Sequence, residues 1–316
     1  MANVDQSLLV LVPKGGEWIG NKSMTERMIR TNRAELATEA FGDPAHPPLL
    51  MIMGGMASML WWPDEFCKKL ASHNRHVIRY DHRDTGHSTK YPPGKAPYSL
   101  DDFVKDAIGM LDEYGIAGAH VVGMSLGGMI GQLAAVGYPS RVLSLTAISS
   151  TPVGADSSRL PASGEAWFEH QATTSETVDW SDRAQVIAFM VDDARMTAST
   201  AHPFDEAQVK ALIERDYDRS GGYLNATNHG GLMSEVSKRS RFKEMRLPLL
   251  VIHGTTDPVF PIEHGIALSK VVSGSKIIRI EGGGHELHPA DWDTIIGAVV
   301  AHTSVNTEQR VVRESP

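Results

Sequence analysis

The sequence predicts an α/β protein with a mostly parallel central sheet, flanking helices and a helical cap insertion. Three observations predict it. Short apolar runs at 49–53, 76–81, 120–124, 142–148, 247–254 and 276–280 alternate with segments of helical spacing, as right-handed strand–helix–strand crossovers require. Between about residues 151 and 246 the alternation stops, and helical patterns follow one another without a buried strand. Finally, one apolar run meets Gly123-Met124-Ser125-Leu126-Gly127 and continues into a small-residue helix, the order strand, tight turn, helix.

Residues 1–30 are weakly patterned and are read as an N-terminal extension. Residues 31–150 and 247–303 form the core, 151–246 the cap and 304–316 a polar tail. The core opens with a strand over 33–41, and Gly42-Asp43-Pro44 turns the chain into the second run, apolar throughout as a strand buried on both faces is. Gly54-Gly55-Met56 ends that run, and a helix follows Trp61-Trp62-Pro63 to about residue 73. Leu100, Phe103, Val104, Ile108 and Leu111 stand at helical spacing within 98–114. The cap patterns centre on 166–170, 184–194, 205–217 and 231–241, and a last helix covers about 292–302.

Composition narrows the function. The 316 residues carry a net charge of −8 without a long basic run, which argues against nucleic acid or an anionic membrane as partner. The single cysteine, Cys67, excludes an internal disulfide and reads as an inert helix position in a cytoplasmic protein. No stretch approaches the roughly 20 apolar residues of a membrane span. The ionisable loop 82–88 reads as a self-locking structural loop rather than a metal or phosphate site, and no cofactor or metal is expected.

The Ser125 turn has a chemical reading. A serine at the tip of a sharp strand-to-helix turn is held in strained backbone geometry, and Gly123 and Gly127 leave room for the two arms to pass. The hydroxyl then stands clear of the sheet beside a helix N-terminus that favours an oxyanion, with the Leu126 N–H as one donor. In an acyl-transfer enzyme the Gly54-Gly55-Met56 loop, at the end of a buried strand, supplies the other backbone N–H. Asp257 follows the run 247–254 and His285 follows the last strand in a glycine-rich loop, so both fall on the sheet edge that carries Ser125. In this order His285 takes the serine proton and Asp257 fixes the imidazole tautomer. His82, His87, His253, His264 and His288 compete less well, because none combines the last-strand position with a glycine-rich approach. Asp156 is the rival of Asp257, and Glu286 reads as a solvated neighbour.

Met53-Gly54-Gly55, Arg79-Tyr80-Asp81-His82-Arg83-Asp84-Thr85-Gly86, Gly123-Met124-Ser125-Leu126-Gly127-Gly128, His253-Gly254-Thr255-Thr256-Asp257-Pro258 and Gly284-His285 together resemble the α/β-hydrolases. More narrowly, the chain resembles the aclacinomycin methylesterase-like branch, over about residues 30–302. It is also similar to the serine esterases that open the lactone of sixteen-membered macrolide antibiotics and so confer resistance. The resemblance implies oxyanion donors at Gly55 and Leu126 and a specificity-setting cap. Where the family commonly has His-Gly before the oxyanion residue, this chain has Met53-Gly54. The donor is a main-chain N–H, so the departure leaves the catalytic atom in place. The expected substrate is a small-molecule ester or lactone, bulky and apolar. Met56, Trp61, Met124, Trp167, Phe189, Tyr223 and Val259 are the candidates to line its pocket. Polyketide methylester hydrolysis, other esterase chemistry, perhydrolysis and C–C hydrolysis are alternatives on the same triad, and a ligand-binding receptor on the same fold is one of another class. The oligomeric state is left open.

Overall fold

The alternation of side chains along buried strands decides where the helices pack. The computed structural model describes residues 26–154, 159–232 and 245–313. Strands β1 (Arg27–Thr31), β2 (Ala34–Phe41), β3 (Pro48–Ile52), β4 (His76–Tyr80), β5 (Ala119–Met124), β6 (Val142–Ile148), β7 (Leu249–Gly254) and β8 (Lys276–Ile280) form one sheet. Its order is β1-β2-β4-β3-β5-β6-β7-β8, with the β1–β2 and β2–β4 pairings antiparallel and every other pairing parallel. The core and cap helices are α1 (Asp64–Ser72), α2 (Leu100–Glu113), α3 (Leu126–Gly137), α4 (Glu165–Glu169), α5 (Arg183–Met196), α6 (Glu206–Ser220), α7 (Ile262–Ser269) and α8 (Trp292–Arg313).

Odd and even strand positions go to opposite layers. Leu50, Ile52, Ile78 and Val121 pack with Phe103 of α2 and Met129 and Ile130 of α3. Leu49, Met51, Val77 and Val122 pack on the other side with Phe66 and Leu70 of α1 and Ile295 and Val299 of α8. Cys67 lies wholly within that second layer, and burial pushes its thiol up to about 12, as an inert thiol requires.

Only helical elements stand between β6 and β7 among the described residues. This cap has its own small core of Val186, Ile187, Val191, Ile213 and Tyr223. The pattern expected over 231–241 falls largely on residues 233–244, outside those described, as does Asp156.

Two boundaries differ from expectation. The extension read over 1–30 ends inside a strand, because Arg27–Thr31 pairs with β2 through the tight turn Asn32-Arg33, where φ is 43° and 62°. Both values are positive, the signature of a two-residue hairpin turn that usually carries glycine. The tail read over 304–316 continues α8 to Arg313.

The ionisable loop after β4 does lock itself. Arg83 makes paired bonds to Asp106 at 2.6 and 2.7 Å, and Asp84 accepts from Tyr98 and from Asn228. His82 and His229 lie buried in this region, and His120 within β5; burial pushes each down to about 4. An unfolded histidine binds its proton near 6.5, so between that value and about 4 the unfolded chain holds more protons than the folded one. Stability is therefore expected to fall as pH drops through this window. Calorimetric Tm values between about pH 7 and 4.5 check this, and a flat profile would contradict the buried neutral histidines.

Candidate active site

Ser125 connects β5 to α3 with φ 52° and ψ −118°, a left-handed backbone that a residue with a Cβ avoids. Its N–H donates to Ile148 O at 2.9 Å, and its carbonyl accepts from Gly128 N at 3.0 Å and Ser150 Oγ at 2.9 Å. Glycine is required on both sides. A Cβ on Gly123 would overlap the Gly127 carbonyl, and one on Gly127 would overlap the Ile52 carbonyl of β3.

Asp257 stands past the end of β7 with a fully buried carboxylate. Its Oδ1 accepts the N–H groups of Val259 and Phe260, each at 2.9 Å, and its Oδ2 accepts from His285 Nδ1 at 2.8 Å. Burial alone pushes this carboxyl up, but the adjacent His285 and the backbone donors outweigh it and hold the carboxyl below its usual range. An ionised Asp257 keeps the His285 proton on Nδ1, leaving Nε2 with a free lone pair. The His285 N–H donates to Thr197 O at 2.8 Å, and its ring meets Phe260 edge to face. The structure thus joins two of the sequence-predicted triad residues directly. Ser125 Oγ makes no hydrogen bond to His285 among the described residues, a contact that commonly tightens with substrate bound.

Gly54 and Gly55 follow β3 and face the serine. A Cβ on Gly54 would lie 3.4 Å from Ser125 Cβ, and Gly55 is exposed beside the Leu126 side chain. Leu126 opens α3, where a backbone N–H has no partner within the helix. Two buried imidazoles brace the 53–56 turn: His82 Nε2 donates to Met53 O at 2.9 Å, and His229 Nδ1 accepts from Met56 N at 2.9 Å.

The pocket candidates divide. Met56, Trp61, Trp167 and Val259 are half-buried at the boundary between core and cap. Trp61 Nε1 donates to Asp216 at 2.8 Å, and Trp167 Nε1 to Asp193 at 2.9 Å. Met124, Phe189 and Tyr223 are instead covered by packing. Met124 belongs to the sheet core, Phe189 lies between His170 and Trp180, and Tyr223 is bonded to Asp216 at 3.1 Å. Glu286, read as solvated, accepts the Ser199 N–H at 2.6 Å and ties the cap to the His285 loop.

His202, His288 and Asp291 bring ligand atoms within 4.8 Å of one another. The two imidazoles stack face to face at 14°, so their lone pairs run side by side instead of converging on one ion. His202 Nε2 and Asp291 pair directly at 3.2 Å.

A parallel sheet with a serine at a strained strand-to-helix turn, an Asp–His pair on the same edge and a helical cap defines a class of hydrolase. The chain belongs to the alpha/beta hydrolase fold family, whose model matches residues 47–290. It is 32% identical over 309 residues to rhodomycin D methylesterase DauP of Streptomyces sp. (strain C5), covering 90% of this chain and all of that one. Rhodomycin D methylesterase DnrP of Streptomyces peucetius is 31% identical over 299 residues, with the same coverage. The enol-lactonase from Burkholderia xenovorans LB400 superposes with a TM-score of 0.66 at 19% identity, covering 88% of this chain and 100% of that one, a likeness of fold. These relatives make the protein a carboxylic ester hydrolase of the aclacinomycin methylesterase-like branch.

Gly127→Ala should lower stability by about 1–3 kcal/mol or prevent folding, because the new methyl meets the β3 backbone. Chemical denaturation measures this, and a wild-type midpoint would remove the close-packed turn. Asp257→Asn should leave the fold intact and lower kcat by about 10⁴-fold, since an amide favours the wrong imidazole tautomer. Steady-state kinetics on an activated ester would reveal it.

Proposed function

We propose that the protein is a serine esterase working through an acyl-enzyme on Ser125, and that its substrate is the lactone of a macrolide antibiotic. The observation that carries the mechanism is the strained Ser125 turn, two strands away from the buried Asp257–His285 pair on the same sheet edge.

Ser125 Oγ attacks the ester carbonyl carbon while its proton moves to His285 Nε2. The carbonyl oxygen becomes an oxyanion between the N–H groups of Gly55 and Leu126, with the positive end of α3 behind it. Collapse breaks the carbonyl-to-alkoxy bond, and the departing oxygen takes the proton from His285. In a lactone that oxygen stays attached to the acyl chain. Water then attacks the acyl-serine, giving its proton to His285, and Ser125 is regenerated with a free carboxylic acid. Asp257 stays ionised throughout and stabilises each imidazolium.

The macrolide reading is supported by the overall similarity to the macrolide-lactone esterases and by the half-buried Met56, Trp61, Trp167 and Val259 at the core–cap boundary, apolar surface suited to a large polyketide. A second reading, hydrolysis of a polyketide methyl ester, is favoured by the likeness to the two rhodomycin D methylesterases.

Mass spectrometry separates the two. Tylosin should gain the mass of one water and release no fragment, whereas an anthracycline methyl ester would take up water and release methanol, leaving an acid lighter by one CH2. An unchanged tylosin beside a demethylated anthracycline replaces the first reading with the second. Ser125→Ala should abolish both reactions, and a fluorophosphonate should label Ser125 in the wild-type protein. Full turnover by the alanine variant would remove the acyl-enzyme.

A further inference from the structure

The turn after β3 is held at both ends by histidines from different parts of the chain. At its start the His82 Nε2–H donates to Met53 O at 2.9 Å. At its end the Met56 N–H donates to Nδ1 of His229 at 2.9 Å, a bond spanning 173 residues. Between the two lies exposed Gly55, its missing Cβ 3.7 Å from Leu126 Cδ2 and 4.0 Å from His229 Cβ. Met56 itself has φ 64°, a left-handed conformation that costs a non-glycine residue about 1–2 kcal/mol and persists where neighbours impose it.

We propose that His229, contributed by the cap, is a positioning residue for the oxyanion hole: its imidazole holds Met56 in the left-handed turn that presents the Gly55 N–H to the substrate. The inference rests on the serine-esterase reading above.

The chemistry of His229 suits the task. Its Nε2 lies 2.7 Å from Arg83 O, an acceptor, so Nε2 carries the hydrogen and Nδ1 is left as the acceptor that Met56 needs. The ring is 2% exposed and packs edge to face on Phe103, so it has little freedom to turn away. Burial pushes it down to about 4, which keeps the acceptor lone pair through the neutral range. The short turn that carries it, Asn225–His229, is fastened to the core: Asn225 donates to Tyr91 O at 2.7 Å, Asn228 donates to Asp84 at 2.9 Å, and Asn228 accepts from Gly94 N at 2.7 Å. A cap segment is thereby built into the core floor, and a cap displaced here would loosen a catalytic donor together with the pocket roof.

The two bonds of His229 can be separated by substitution. Asn places its side-chain oxygen near Nδ1, and Gln places its amide nitrogen near Nε2. His229→Gln should therefore keep the Arg83 bond, lose the Met56 bond and lower kcat about 10–100-fold, with KM within about 3-fold of wild type. His229→Asn should restore the Met56 acceptor and hold kcat within about 5-fold of wild type. Equal losses in the two variants, no loss in either, or a loss confined to KM would each overturn the proposal. Hydrogen exchange at the Met56 amide of the wild-type protein needs no variant: slow exchange is expected, and exchange at the rate of an open loop would overturn it. Should Ser125→Ala retain full turnover, the underlying esterase mechanism fails instead, whatever the His229 variants do.

Discussion

Ser125 sits in a backbone conformation that costs on the order of 1–3 kcal/mol, and the sheet around it is arranged so that no relaxed alternative exists. Its N–H is fixed to Ile148 of β6, its carbonyl to the first turn of α3, and the two flanking glycines lie against each other and against β3. Three adjacent strands, β3, β5 and β6, therefore converge on one turn. Moving any of them by an ångström would break the packing at Gly123 or Gly127. The same convergence brings the 53–56 turn against the serine, so Ser125, the start of α3 and the Gly54-Gly55 backbone are set by one piece of packing.

The cap is joined to this centre by a set of polar bonds. Arg219 of α6 reaches Asp81 at 2.7 Å just past β4, and Asp81 also accepts Met59 N at 2.8 Å beside the 53–56 turn. Asp216, one helical turn earlier, takes the indole N–H of Trp61. On the opposite side Thr197, Ser199 and Thr200 bond to Gly282, His285 and Glu286. Cap residues thus touch both the loop after β3 and the loop that carries His285. Buried polar pairs of this kind add directional specificity more than net stability, because each partner must first be desolvated. They fit a cap that has to hold one orientation over the sheet edge.

Much of this was legible in the sequence because the signals were local. Apolar runs gave the parallel strands, and glycines beside Ser125 and His285 gave the two loops where backbone must pass closely. The first hairpin was not legible, since Asn32-Arg33 adopts a glycine-type turn without glycine and a strand at the sheet edge has no continuous apolar run. The cap lining was legible only in part. An aromatic on an amphipathic helix can face its own neighbours or a cleft, and the sequence carries no term that separates them. Phe189 and Tyr223 turned inward and Trp61 took the boundary. His229 left no local trace at all, for its partners Met56 and Arg83 lie 173 and 146 residues away.

Burial sorts the histidines of this region into different tasks. His82 and His229 are wholly enclosed, so protonation is disfavoured and each ring becomes a fixed neutral donor or acceptor for backbone. His253 is likewise enclosed: its Nε2–H donates to Phe260 O at 2.7 Å, while the N–H of Phe260 donates to Asp257. Its Nε2 stands 3.7 Å from the carboxylate, but burial lowers its proton affinity, so it props the Asp257 loop without competing as a cation. His285 alone among these four is half-exposed and directly bonded to a buried carboxylate. A cation formed there has both a counter-charge and access to the cleft, whereas burial disfavours a cation at His82 or His253, and one at His229 would also lose the Met56 N–H bond to Nδ1. The fold thereby leaves His285 as the one imidazole of the four bonded to the Asp257 carboxylate, and uses the others to hold backbone in place.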